Sequence, residues 1–186
     1  MNWQDLIARH SEVFNKLKSQ EEIVQKIAAI SVETLKRGGS IFTAGNGGSA
    51  ADAQHFAAEL SGRFLAERKP LSGIALSVDT SALTAIANDY GYDEVFARQL
   101  AALGREGDLF FGITTSGNSK NILNAVKIAK ERGIKTVGLT GRDGGKLAEI
   151  ADLSLVVPSD ITAHIQEAHI FAIHYFCSEI DKEFAK

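Results

Sequence analysis

The sequence of 186 residues has one cysteine (Cys177), one tryptophan, one methionine and two prolines. A lone thiol cannot close a disulfide within the chain, which excludes a disulfide-stapled scaffold and fits a reducing compartment. Basic residues are not in excess: 20 Lys and Arg stand against 23 Asp and Glu, for a net charge of -3. That balance offers no footprint for a phosphate backbone, so nucleic acid is not an expected partner. No apolar run reaches membrane-spanning length, and Met1-Asn2-Trp3-Gln4-Asp5 has neither the basic nor the apolar part of a secretory leader. These absences predict a soluble, cytoplasmic protein with no membrane partner.

What is present is ordinary for a globular chain: 45% apolar and 23% charged residues, in a length that suits one domain. Trp3, Leu6, Ile7, Val13, Phe14 and Leu17 recur at helical steps, as do Ile23, Val24, Ile27, Ile30, Ser31 and Leu35. Gly38-Gly39 follows as a C-cap would. Residues 1–37 are therefore expected to form a helical extension and 38–186 the main domain. The pattern leaves open whether the extension covers its own domain or sits in a subunit interface.

Beyond Gly39, short β-rich runs (40–44, 74–78, 108–114, 135–140 and 153–157) alternate with helical stretches (50–62, 81–103, 119–132 and 145–150). The long second stretch is expected to break near Tyr90-Gly91. A last helix is expected over 161–184. Alternation of this kind predicts a doubly wound α/β fold with a parallel sheet covered on both faces. In such sheets ligands sit beyond the carboxyl ends of the strands, which directs attention to two loops.

The first loop is Gly45-Asn46-Gly47-Gly48-Ser49. Its glycines free backbone amides at a helix N-terminus, where an anion or sugar oxygen could dock or where the turn is simply tight. It is neither a dinucleotide fingerprint, since Ala50 occupies the required glycine position, nor a Walker loop. The second is Thr114-Thr115-Ser116-Gly117-Asn118-Ser119. Its hydroxyls and amides form a phosphate nest that needs no Lys or Arg, although Ser119 could instead only cap its helix. His55 and Glu59 share a helix face at i,i+4, a spacing that suits a shared proton, a metal or a surface hydrogen bond. On the last helix, Gln166 and His174 lie about 80° apart around the axis and about 12 Å along it. His164 and His169 are expected to face solvent. Cys177 is expected in the core.

Taken in order, Gly45–Ser49, His55-Phe56-Ala57-Ala58-Glu59-Leu60, Ala87-Asn88-Asp89-Tyr90-Gly91, Gly112–Ser119, Leu139-Thr140-Gly141 and Ile165-Gln166-Glu167-Ala168-His169 resemble the sugar-isomerase (SIS) family. Within that family they are most similar to the phosphoheptose isomerases. The resemblance implies a five-stranded, flavodoxin-like sheet. It also implies an aldose–ketose isomerase converting sedoheptulose 7-phosphate to D-glycero-D-manno-heptose 7-phosphate, at the start of ADP-heptose synthesis for lipopolysaccharide core or capsule.

Carried onto this chain, the family pattern implies substrate binding by Asn46, Gly47, Gly48 and Ser49, with Asn88, Asp89 and Gln166 at the sugar. It makes Thr114, Thr115, Ser116 and Ser119 the phosphate cradle, and Glu59 and His174 the acid/base pair. Arg63 is a further candidate for balancing charge. The resemblance also implies a zinc ion on His55, Glu59, Gln166 and His174, and a homotetramer with sites between subunits. Glu59 suits proton transfer at carbon through an enediol and His174 proton transfer at oxygen; zinc would polarise the carbonyl but weaken Glu59 as a base.

Two positions depart from the pattern. Thr114 stands where a serine is common, and Ala163-His164 where some members have Asp-Arg. Other functions remain open: a non-catalytic relative that binds the replication initiator, a sugar-phosphate-sensing regulatory domain, or an isomerase of another sugar phosphate. Relatives of the first kind lack the glutamate and the final histidine, whereas this chain has Glu59 and His174. A sensor would carry a DNA-binding module, and residues 1–37 contain no basic recognition helix.

Overall fold

The computed structural model describes residues 2–185. The chain begins with helices α1 (Trp3–Leu17) and α2 (Glu21–Lys36), joined by one 3₁₀ turn. Asn2 starts α1 with a reciprocal cap: its side chain accepts from the Asp5 amide, and the Asp5 carboxylate accepts from the Asn2 amide. Then follow β1 (Ile41–Gly45), α3 (Gly48–Ser61), β2 (Gly73–Ala75), α4 (Thr80–Tyr90), α5 (Val95–Leu103) and β3 (Leu109–Thr114). The remainder is α6 (Lys120–Glu131), β4 (Lys135–Gly141), α7 (Gly145–Ile150), β5 (Leu153–Val157) and α8 (Thr162–Phe184).

All five strands are parallel, in the order β2-β1-β3-β4-β5. Winding reverses between β1 and β3, so their carboxyl ends open a crevice at the switch point. Side-chain alternation builds a core on each face of the sheet. Ile41, Leu109, Phe111 and Ile113 pack with Ile27 of α2, Phe56 of α3 and Phe176 of α8. Phe42, Ala44 and Phe110 pack on the other face with Phe96 of α5, Ile122 of α6 and Leu147 of α7. Because both faces are covered, β1 and β3 are buried along their whole length rather than at alternate positions.

The last two strand runs and the helix break at Gly91 lie where the sequence predicts them, but β2 is shorter than expected. It pairs over three residues only, Gly73–Ala75 with Ile41–Thr43. After Leu76 the chain leaves the sheet edge for the start of α4, where the Asp79 carboxylate caps the Ala82 amide. Val78, expected within the strand, is exposed.

Helix α8 supplies the clearest correction. His164 and His169 are both buried, not solvated. One side of α8 packs on the sheet and another meets α1, whose Val13 joins Ile165 and Ala168 in a third small core. A helix covered on two sides leaves few positions for water. His169 is fully enclosed, its Nε2 3.0 Å from the Thr140 carbonyl. Its Nδ1 has no partner among the described residues. Burial pushes the His169 imidazole down to about 4, against the opposing hydrogen bond to Thr140.

Candidate active site

The two loops picked out in the sequence meet at the switch point. Together they enclose a cavity of about 250 Å³, lined by Asn46, Gly47, Gly48 and Ser49 from the β1–α3 turn and by Ile113, Thr114, Thr115, Ser116 and Ser119 after β3. Thr162 and Gln166 of α8 close it. Gly47 turns the chain with φ +56°, a conformation that side chains disfavour. Gly48 has a different task. A Cβ there would lie 2.6 Å from the Gln166 amide nitrogen, so glycine leaves the space in which that side chain reaches the turn, and a larger residue would make it move aside.

The hydroxyls after β3 form a connected set. Thr114 Oγ1 lies 2.8 Å from Ser119 Oγ and 3.3 Å from Ser116 Oγ. The Asn118 amide donates to Ser116 Oγ at 3.2 Å. Ser119 precedes α6 but does not cap it with its side chain; its hydroxyl turns to Thr114 instead. Asn46 is also fixed: its side chain exchanges hydrogen bonds with that of Asn121, at 3.0 and 2.8 Å. Tyr92 donates to Asn46 Oδ1 as well.

A second group lies further along the same pair of helices. His55 Nε2 is 3.0 Å from Glu59 Oε1 and 3.3 Å from His174 Nε2. Gly48 therefore faces Gln166, and His55 faces His174, so α3 and α8 run side by side in the same direction. Seven or eight residues at 1.5 Å each put about 10–12 Å along the seam between the cradle end and the His55–His174 contact. The contacts form a chain through one nitrogen of His55. Among the described residues, no group of three or more His, Cys, Asp or Glu is arranged to hold a metal ion. Gln166 stays at the cradle end and makes no hydrogen bond to any of the three.

Asp52 lies on the same stripe of α3, between Gly48 and His55. Burial pushes its carboxyl up to about 6, against the pull of His55. Its Oδ2 is buried without a partner among the described residues. Cys177 is buried, as expected; burial, reinforced by the Glu59 and Asp181 charges, pushes its thiol up to about 12 and leaves it inert.

Several expected site residues lie elsewhere in this chain. Asn88 and Asp89 are exposed at the end of α4, bonded to each other at 2.8 Å and touching neither group. Arg63 points to its own loop, donating to the Leu65 carbonyl. The arginine that does reach the backbone of Glu59 is Arg68, which sequence reasoning missed along with Asn121, Tyr92, Thr162 and Asp52. Only Asn121 left a signal, as a polar residue at the start of the helix behind a hydroxyl-rich loop.

Residues 5–141 match the SIS domain. The phosphoheptose isomerase of Aliarcobacter butzleri is 56% identical over 180 residues, 97% of this chain and 95% of that protein. The chain belongs to the phosphoheptose isomerase family. A Helicobacter pylori phosphoheptose isomerase is 57% identical over 177 residues, covering 95% of this chain and 92% of its own length. The solved structure of the phosphoheptose isomerase from Neisseria gonorrhoeae superposes with a TM-score of 0.91 at 47% identity, over 96% of both chains. That from Francisella tularensis gives 0.89 at 40% identity, over 98% of this chain and 100% of that one. Family membership agrees with the five-stranded SIS architecture expected from the sequence.

Proposed function

We propose that this enzyme is a phosphoheptose isomerase that interconverts sedoheptulose 7-phosphate and D-glycero-D-manno-heptose 7-phosphate. One observation carries the reading within the family. A hydroxyl cradle without a fixed cation stands at the switch point, and a carboxylate touching an imidazole pair lies on the same helical seam. Amides and hydroxyls after β3 suit a phosphate. Glu59 and His174 suit the two kinds of proton transfer that isomerisation needs.

In this reading Glu59 removes the proton at one of C1 and C2 and returns it at the other through an enediol. His174 moves the proton between the two oxygens, and His55 links the two groups. Asn46, Gly47, Gly48, Ser49 and Gln166 orient the sugar, while Thr114, Thr115, Ser116 and Ser119 hold the phosphate. Asn88 and Asp89, exposed and bonded to each other in one chain, would reach sugar in the assembled protein.

The donor set suits zinc, with two imidazoles and a carboxylate. The 3.3 Å between His55 and His174 nitrogens matches the roughly 3.3–3.4 Å expected of two donors bound tetrahedrally at about 2.0–2.1 Å. In one chain these three side chains do not form a three-donor group and Gln166 stands at the cradle end, so His55, Glu59 and His174 would hold the ion only on drawing together, with Gln166 turned from the cradle as the remaining donor. Such an ion would supply Lewis acidity for the substrate carbonyl.

We further infer a homotetramer with sites between subunits. Trp3 (74% exposed), Leu6 and Ile7 on α1 and Phe171 (57%) on α8 are exposed apolar side chains that suit burial against other copies. On this view residues 1–37 are an extension packed in the assembly and 38–186 the SIS domain proper. We place the enzyme in the cytoplasm, where its product would feed activated heptose for lipopolysaccharide core or capsule. The deciding experiment is incubation with sedoheptulose 7-phosphate, following the aldoheptose signal by NMR. Folded protein that leaves the ketose unchanged, with and without added zinc, overturns the reading.

A further inference from the structure

The carbonyls of a helix's last turn have no partners within the helix, and Glu59 lies in the last turn of α3, two residues before its end. Arg68 folds back to meet them. Its Nη2 donates to the Glu59 carbonyl and its Nη1 to those of Leu60 and Lys69, at 2.9 and 3.1 Å. Its Nε donates to Asp181 Oδ1 of α8 at 2.8 Å, and both side chains are buried, 1% and 6% exposed. The other Asp181 oxygen accepts from the Leu65 and Ala66 amides at 2.8 Å each. One enclosed ion pair thus ties the 62–68 segment to the ends of two helices, with the guanidinium used as a fork that lysine cannot reproduce.

Phe64 lies in the middle of that segment. Its ring stacks on the imidazole of His174, with centroids 5.5 Å apart and planes inclined by 22°. His174 also meets the His55 ring, tilted by 58° at 5.1 Å. Two rings therefore border His174. Phe64 itself packs on the core formed by α2, α3 and α8.

We propose that Phe64 is a positioning residue for His174, and that the buried Arg68–Asp181 pair acts through Phe64 and through the Glu59 backbone to hold the two groups in one arrangement. The proposal rests on the reading of Glu59 and His174 as the acid/base pair. Phe64 touches no reacting atom, so its loss should lower turnover and leave substrate affinity alone.

The test uses the full-length protein with sedoheptulose 7-phosphate as substrate. Phe64→Leu is expected to lower kcat tenfold or more with KM within about twofold. Phe64→Tyr, which keeps an aromatic face, is expected to recover most of that loss. NMR gives a second readout: the His174 ring protons are expected to move downfield in Phe64→Leu as the neighbouring ring current is removed. Arg68→Lys is expected to lower kcat in the same sense and to shift the same protons; should it fail to fold, the Phe64 variants decide. Unchanged kcat in Phe64→Leu overturns the proposal whatever the His174 shifts do, because those move with loss of the ring alone. If His174→Gln is inactive while Phe64→Leu matches the parent enzyme, only the positioning role falls. If His174→Gln keeps full turnover, the acid/base reading falls and the positioning role with it.

Discussion

The Nε2 atoms of His55 and His174 face each other across 3.3 Å. Glu59 Oε1 lies 3.0 Å from the same His55 nitrogen. A neutral imidazole nitrogen either donates or accepts. His55 Nε2 can therefore give its proton to the carboxylate or to the second imidazole, or take one from the latter, but it cannot serve all three uses at once. With no metal ion bound there, such a junction passes one proton at a time between Glu59 and His174; a zinc ion on the same nitrogens would take the place of that proton.

Glu59→Gln keeps the side chain's shape and removes its basicity. Turnover is expected to fall at least about a hundredfold while KM changes little, because the carboxylate acts in the transition state. Steady-state kinetics with sedoheptulose 7-phosphate check this. Near-parental kcat would remove Glu59 as the base.

The cradle should behave in the opposite way. Thr115→Ala and Ser119→Ala each remove a hydroxyl from the cavity wall, and Ser119→Ala also leaves Thr114 Oγ1 without its 2.8 Å partner. Losing a hydrogen bond to a charged group costs about 1.5–3 kcal/mol, or roughly 10- to 150-fold in affinity. KM is expected to rise with kcat nearly constant. Unchanged KM in both variants would place the phosphate elsewhere.

Much of this was legible in the sequence, and the remainder has a common cause. The apolar runs of β3, β4 and β5 predict buried parallel strands because both faces of the sheet are covered. The hydroxyl cradle is legible because its members are neighbours in sequence. Asn121, which locks Asn46, is 75 residues from it, and Asp181 is 113 residues from Arg68; such pairings exist only once the chain has folded. His164 and His169 were misplaced because a helical pattern shows one buried face, whereas α8 is covered on two. The site is legible only in part: Asn88 and Asp89 carry the family pattern, yet in one chain they touch neither the cradle nor His174.

Zinc binding gives a readout separate from catalysis. Protein stripped with chelator and dialysed against zinc is expected to retain about one ion per chain by elemental analysis. His55→Ala is expected to lose it, since two protein donors on opposite sides of an absent third hold zinc poorly. Equal zinc content in the parent protein and the variant would rule out this donor set.

Two buried groups predict opposing effects of pH on stability. His169 is driven from an ordinary 6.5 to about 4 in the fold. Between those values the unfolded chain binds a proton that the native state refuses, so stability rises with pH across that window and is lost as pH falls. At about 1.4 kcal/mol per pH unit the full effect is at most about 3 kcal/mol. Asp52 is driven from 3.8 up to about 6, so in its window the native state holds the extra proton and stability falls as pH rises. Its half-buried position makes this the smaller effect, because solvent screens it. The parent protein should therefore show a shallow net gain in stability from pH 4 to 6.5. Urea unfolding of His169→Leu is expected to reverse that slope, leaving the Asp52 contribution, and Asp52→Asn is expected to steepen it. Comparing slopes rather than absolute stabilities removes the cost of losing the 3.0 Å bond to Thr140, which does not vary with pH. Parallel slopes in all three proteins would mean that neither group titrates as its burial requires.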